Sequence, residues 1–333
     1  MYIGLTLGLT GSASSAAVLA QAPSLDLNFL SGTLDPRITF TRASPATRFN
    51  ASGVLETVAT NEPRFDYDPA TLTARGLLIE EARTNSIRNN SMAGAAAGVL
   101  PTSWGVGSLA GITTSVVGSG TENGLPYLDI RYAGTATGTL EVSIDATGTT
   151  VAAEGQAWTS SVYVKLAGGS LTNVTSVQTR TYQHGSTNQT PGNITPTSAA
   201  LRTQRVQSTR TLTTGATSTQ CRLSTTFAGA VDVTLRFGAP QLEQGSFATS
   251  PILTLGSAAV TRAADVATAP VANGTYDVLV QDKNGAEWRN GIVVASSSYP
   301  LVPRSSQRYI SRVRVYRAGA IGAAIKTTMQ VSA

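Results

Sequence analysis

The chain has 333 residues, with 24 Lys and Arg against 19 Asp and Glu, one Cys, one His, and only 13% charged and 6% aromatic residues. A single cysteine excludes an intramolecular disulfide framework and any multi-cysteine metal site, and a single histidine excludes a His-rich one; no cofactor or metal is expected. The net charge of +5 comes mostly from arginines scattered among Thr and Ser, not from the one-sided cluster that a nucleic-acid-binding surface needs.

Thr, Val and Gly are abundant while Glu and Lys are scarce, which favours strands and turns over helices. Residues 1–22 are small and apolar, and Ala20-Gln21-Ala22 imitates a signal-peptidase site. Its first residues carry no Lys or Arg, and its apolar residues alternate as in a strand. Residues 1–24 therefore read as an uncleaved docking arm and linker. A leader follows over 25–90, with strands at 25–30, 38–42 and 76–80 set among prolines and glycines. The Ala/Gly tract 93–98 reads as a joint, not a helix.

From residue 104 to 255 the spacing becomes regular. Period-2 segments fall at 127–132, 139–144, 158–166, 174–182, 205–212, 220–227 and 231–237, most of them separated by Gly or Pro. This predicts an all-β fold, a jelly-roll or concanavalin-like β-sandwich over 91–265. No helix of functional length intervenes, which excludes a Rossmann enzyme. Residues 266–333 read as a small β module with strands at 276–281, 292–295 and 308–317. No stretch is apolar and long enough to span a bilayer.

Three leader stretches carry a resemblance: Phe40-Thr41-Arg42-Ala43-Ser44, Pro63-Arg64-Phe65-Asp66-Tyr67-Asp68-Pro69, and Arg75 through Asn85 with its Glu80-Glu81-Ala82-Arg83-Thr84-Asn85 end. Within the sandwich, Ser161-Val162-Tyr163-Val164-Lys165, the block Phe237 to Ser246 with Glu243, and Ala248-Thr249-Ser250-Pro251 belong with them, as does Ala259 to Asp265. Over residues 25–266 the chain resembles virion proteins of phages and gene-transfer agents, of head-spike, head-fibre or tail-fibre type, in which such a leader precedes a carbohydrate-binding jelly roll. The resemblance implies a particle component that touches host cell-surface or capsular polysaccharide, sited on the virion after assembly in the bacterial cytoplasm. It does not place the protein on head or tail.

Sugar recognition on a sandwich needs aromatic faces for pyranose C–H groups and polar groups for hydroxyls. Alternation places Thr159, Ser161, Tyr163 and Lys165 on one strand face, opposite Trp158, Val162 and Val164. It likewise groups Gln178, Arg180, Tyr182 and His184, and sets Arg236 with Asp232 and Thr234 opposite a core face. If these strands are neighbours, Tyr163, Lys165, Arg180, Tyr182 and Arg236 could line one glycan-binding groove; the alternative is an ordinary solvated sheet face.

The leader residues Arg42, Glu80, Glu81, Arg83 and Asn85, and Glu243 in the terminal block, read as structural. If the strand at 76–80 continues through Glu81, Glu80 and Glu81 point to opposite faces and cannot flank one glycosidic bond, and no catalytic residue is expected. Cys221 reads as a small buried hydrophobe. Arg308, Arg312 and Arg314 are candidates for assembly or for an acidic partner, since guanidinium pairs bidentately with carboxylate; a solvated, charge-protected edge would look the same.

The expected function is that of a structural virion protein that attaches to host polysaccharide. Its arm would contact other virion proteins, and a trimer or pentamer would provide avidity. A purely architectural spike-base or adaptor protein is the alternative, and a polysaccharide depolymerase a third. Neither nucleic-acid binding nor membrane insertion is expected.

Overall fold

The computed structural model describes residues 22–146, 148–186, 190–256, 258–305 and 307–331; residues 1–21, nearly all of the expected docking arm, lie outside them. The fold is all-β, and its one described α-helix, Ala323–Val331, comes at the end. The chain forms two compact units. One contains the residues up to Phe40, Arg75–Ile79 and Val266 onward; the other contains Thr41–Ala74 and Glu80–Asp265.

Two long antiparallel strands, Leu125–Ile144 and Ser218–Gln244, organise the larger unit, pairing from Tyr127↔Gly238 to Ile144↔Cys221. Each half of this ribbon has its own neighbours. One half is flanked by Ile112–Glu122 and by Ala157–Gly169, which pairs in turn with Arg205–Thr211. The other is flanked by Trp104–Val106 and by Val174–Gln183, which continues to Thr190–Ile194. At the changeover, Gly134 has φ 133°, and a Cβ there would stand 2.0 Å from the Gly111 carbonyl oxygen. Only glycine fits so close a backbone approach.

Period-2 geometry turns alternate residues inward. Leu128, Ile130, Tyr132, Leu140, Val142 and Ile144 of one long strand thereby share a core with Leu223, Phe227, Val233, Leu235 and Phe237 of the other. Trp158, Val162, Val164 and Val206 complete this core, which defines the β-sandwich. Trp104, at the start of the strand Trp104–Val106, is buried in it, and its indole N–H donates to the Asn89 carbonyl at 2.9 Å. Cys221 lies in it as expected, where burial pushes the thiol up to about 11. Behind the strand Ala157–Gly169 sits a second apolar cluster of Phe49, Leu55, Leu125, Tyr163, Leu201 and Ala239. Phe49 and Leu55 come from the leader hairpin Ala46–Phe49/Leu55–Val58. Residues 158–164 are consequently buried on both strand faces.

The smaller unit is built on a four-stranded antiparallel sheet in the order Leu25–Asn28, Arg312–Arg317, Gly274–Asp282, Gly285–Val294. The leader over 25–90 is thus divided: its first strand pairs with the C-terminal module. Alternation explains the pairing, because Leu25 and Leu27 turn inward while Asp26 faces Arg312 and Arg314. Asp26 accepts two hydrogen bonds from Arg312, at 2.7 and 2.6 Å, and lies 3.6 Å from Arg314. Asp26 thus gives these two arginines an acidic partner within the same chain, and Arg312–Arg317 pairs on both sides, so it is not the sheet edge of the alternative reading. Arg308 supplies its carbonyl to the Ile79 N–H. The module also contains an unexpected helix, anchored by Lys326, whose ammonium lies 2.8 Å from Asp277, and by the Trp288 indole N–H on the Lys326 carbonyl.

Candidate functional site

The motif blocks converge inside the sandwich unit on a buried ion network. Arg42 pairs with Asp265 at 3.0 Å, and Arg64 holds the other oxygen of the same carboxylate. Glu80 lies 3.0 Å from Arg64 and 2.9 Å from Arg262. All five side chains are at most 1% exposed. Backbone and hydroxyl groups satisfy much of the remaining capacity: Arg42 donates to the Ser44 and Glu62 carbonyls, and Glu80 accepts from the Ser250 N–H and hydroxyl. Buried charges require such partners, and only Arg64 Nε and Arg262 Nε among these five side chains are buried without a hydrogen bond to a described residue. Burial opposes the charge on Arg64, but Glu80 and Asp265 outweigh it and hold its pKa above the usual arginine value.

Glu243 and Asn85 extend the network. Glu243 accepts from the Thr249 N–H at 2.8 Å and hydroxyl at 2.7 Å. The Asn85 side-chain oxygen accepts from Leu242 and Ile87, while its amide donates to the Ile252 carbonyl. These contacts fasten the Glu80–Asn85 stretch to the terminal block. Sequence reasoning gave Arg42 and Glu80 structural roles but named neither Asp265 nor Arg262 as a partner, although both stand in the quoted blocks.

Past Glu80, in the stretch between the strands Ala74–Leu78 and Arg83–Asn85, the exposure reverses and Glu81 faces solvent. It opens a groove of about 740 Å³. One wall is Glu81 to Thr84 with Thr261; the floor and opposite wall are Gln156 to Trp158 and Gln244 to Ser246. Arg83 lies along it, donating to Glu81 at 2.9 and 2.6 Å and standing 5.2 Å from the centre of the half-exposed Phe247 ring. Gly245 has φ 145°, and a Cβ there would fall 1.5 Å from Arg83 Nη1. The glycine of the terminal block is what leaves space for Arg83. The Gln244 amide and the Ser246 hydroxyl make no hydrogen bond to a described residue, and neither do Arg83 Nη1 and Glu81 Oε2. Gln156 accepts from the Trp158 indole N–H at 3.1 Å, leaving its own amide N–H groups spare. Sequence reasoning missed this groove because its walls come from segments more than 150 residues apart.

The five residues proposed for one glycan groove do not come together. Tyr163 is 2% exposed, in the second apolar cluster with Arg205 over its ring, and it cannot stack on a ligand. Lys165 and Arg236 are register partners near one end of Ser218–Gln244, whereas Arg180 and Tyr182 pair with Arg222 and Gln220 near the other. Around Arg236 the charges balance: it holds Asp129 through two 2.8 Å bonds and Glu122 at 2.7 Å, and Lys165 lies 3.3 Å from Glu122. Burial opposes the Glu122 charge, yet the Leu201 N–H, Arg236 and Lys165 keep its pKa below the usual range. Arg236 also covers the Tyr127 ring at 3.5 Å.

At the other end, Arg222 covers the Tyr182 ring at 3.5 Å, with His184 edge-on at 5.0 Å. Arg180 and Arg222 reach the two oxygens of Glu141 at 3.0 and 2.8 Å. The expected sharing of one face by Gln178, Arg180 and Tyr182 appears in their alternating half-exposure.

No family model matches the sequence, and no curated protein matches it. Among solved structures, a family 11 carbohydrate-binding module from Clostridium thermocellum, in complex with a β-1,3-1,4-mixed-linked tetrasaccharide, aligns over 53% of this chain and 99% of its own, with 12% identity and a TM-score of 0.29.

Proposed function

We propose that this protein is a glycan-binding attachment component of a virion-type particle, and that the groove between Arg83 and Gln244 receives the saccharide. One observation carries the reading: the groove offers unused hydrogen-bonding groups from Arg83, Glu81, Gln156, Gln244 and Ser246 next to the half-exposed Phe247 ring. Convergent polar groups beside an aromatic face are what a sugar ring with its hydroxyls and C–H faces requires. Placement on a particle is supported by the phage-like leader and terminal blocks, which supply both long walls of the groove. In this reading residues 1–24 dock to other virion proteins, and a trimeric or pentameric homo-oligomer makes weak single-site binding effective.

Hydrolysis of a glycosidic bond ordinarily needs two carboxylates across the cleft. Glu81 is the one carboxylate among the described lining residues, which favours binding without cleavage. The test is a capsular and cell-wall glycan array probed with the purified chain, followed by titration of the best ligand. Gln244→Ala with Ser246→Ala should weaken binding about tenfold or more with the melting curve unchanged. Absence of binding to every glycan would favour the architectural adaptor. New reducing ends in the mixture would instead make the protein a depolymerase.

A further inference from the structure

The outer face of Val174–Gln183 and Ser218–Gln244 places two arginines directly opposite each other, since Arg180 and Arg222 are register partners. Like charges in that relation repel across an antiparallel pair. Glu141, on the far side of Ser218–Gln244, is the carboxylate that both arginines reach. The cluster therefore keeps one positive charge in excess. His184 adds none at neutral pH, because burial, and then Arg222, hold its pKa below the usual imidazole value. The cluster at Arg236 forms a contrast on the same strand: there two cations meet two carboxylates and nothing is left over.

The surplus is also presented in a fixed orientation. Arg222 lies on the Tyr182 ring at 3.5 Å, and Gln220 and Glu141 hold its Nε and Nη1, while its Nη2 donates to no described residue. Arg180 is held by Gln178 and Glu141. These side chains are 17% and 24% exposed, so they remain open to solvent. Neutral hydrogen-bonding groups border them: Ser143 is the register partner of Arg222 on the adjoining strand, and the Gln178 amide joins Asn193 at 2.8 Å.

We propose that this face is a second saccharide site, selective for a sugar carboxylate of the uronic-acid type, with Arg222 and Arg180 as the anion-binding pair. The inference rests on the glycan-binding reading above. A guanidinium edge matches a carboxylate in geometry and charge, and the adjoining amides and hydroxyl suit the ring hydroxyls of the same residue. An extended sheet face accommodates an internal unit of a chain as readily as an end.

The full chain is titrated with an oligogalacturonate of defined length, with its fully methyl-esterified counterpart, and with a neutral mixed-linkage gluco-oligosaccharide. The free acid should bind about tenfold more tightly than the ester. Arg222→Gln should abolish that preference, while Arg131→Gln, which removes an exposed pair with Asp232, should preserve it; both variants should melt as wild type. Equal affinity for acid and ester would overturn the proposal, as would a preference that survives Arg222→Gln. Equal competition by inorganic phosphate would reduce the face to a general anion site and overturn the saccharide assignment. If neutral oligosaccharide still binds in those cases, only this inference falls; if no saccharide binds at all, the proposed function falls with it.

Discussion

Two arginine clusters in the sandwich unit use the same chemistry to opposite ends. In the buried one, Arg42, Arg64 and Arg262 meet Asp265 and Glu80 at exposures of 1% or less, and hydroxyls and carbonyls take up much of the remaining capacity. In the exposed one, Arg180 and Arg222 share Glu141, and Arg222 Nη2 donates to no described residue. The difference lies in burial and in what is left over. A charge removed from water needs partners for most of its capacity, although Arg64 Nε and Arg262 Nε lack one here, and it then serves the fold; a charge at the surface can keep capacity for something that arrives.

The comparison is broken most severely from the buried side. Asp265→Asn leaves Arg42 and Arg64 facing a neutral amide, and should cost about 3–5 kcal/mol. Urea unfolding followed by fluorescence will register it, since Trp104 and Trp158 both report on this core; a loss under about 1 kcal/mol would mean that the network does not fasten the leader. Gly245→Ala should come next, at about 1–3 kcal/mol, because its φ of 145° strains any side chain, and its Cβ would also push the Arg83 guanidinium aside. The same substitution should deform the groove and weaken saccharide binding.

In the smaller unit, Asp277 tests how a partly covered ion pair ranks between the two extremes. Burial opposes its charge, but Lys326 and the N–H groups of Gly291 and Gly319 hold its pKa below the usual carboxylate range. A lowered native pKa contributes stability that is complete above the ordinary aspartate range and is lost as pH falls through the native value. Asp277→Asn should cost about 1–3 kcal/mol near neutrality and flatten the acid limb of a pH–stability curve monitored at Trp288. Least of all, Arg222→Gln should change stability by under about 1 kcal/mol, measured by thermal melting. A larger loss would make that arginine a structural one.

Period-2 alternation made the sandwich legible, because its core residues repeat at a spacing that only strands turn inward. It did not reach Glu80 and Glu81: the strand ends at Leu78, and their burial and exposure follow from the buried ion network and the chain path instead. It misled at Tyr163. Thr159, Ser161 and Tyr163 read as a solvated polar face, yet that face is covered by Phe49, Leu55 and Leu201. The small hydroxyls are buried by bonding locally, Thr159 to the Gly245 carbonyl and Ser161 to Arg205. Such residues carry no periodic sign of whether water or protein lies opposite. Long-range partners were hidden for a different reason: Asp26 and Arg312, or Arg42 and Asp265, lie more than 200 residues apart, and only the chain path brings them together. The groove between Arg83 and Gln244 was invisible on the same ground.

The most direct test of the glycan-binding groove is a crystal structure of the full chain soaked with the oligosaccharide that binds most tightly in the array. The account predicts sugar density in the groove, with hydroxyls bonded to Arg83 and Gln244 and a ring face against Phe247. A tightly bound sugar located elsewhere, with the groove empty, would contradict it.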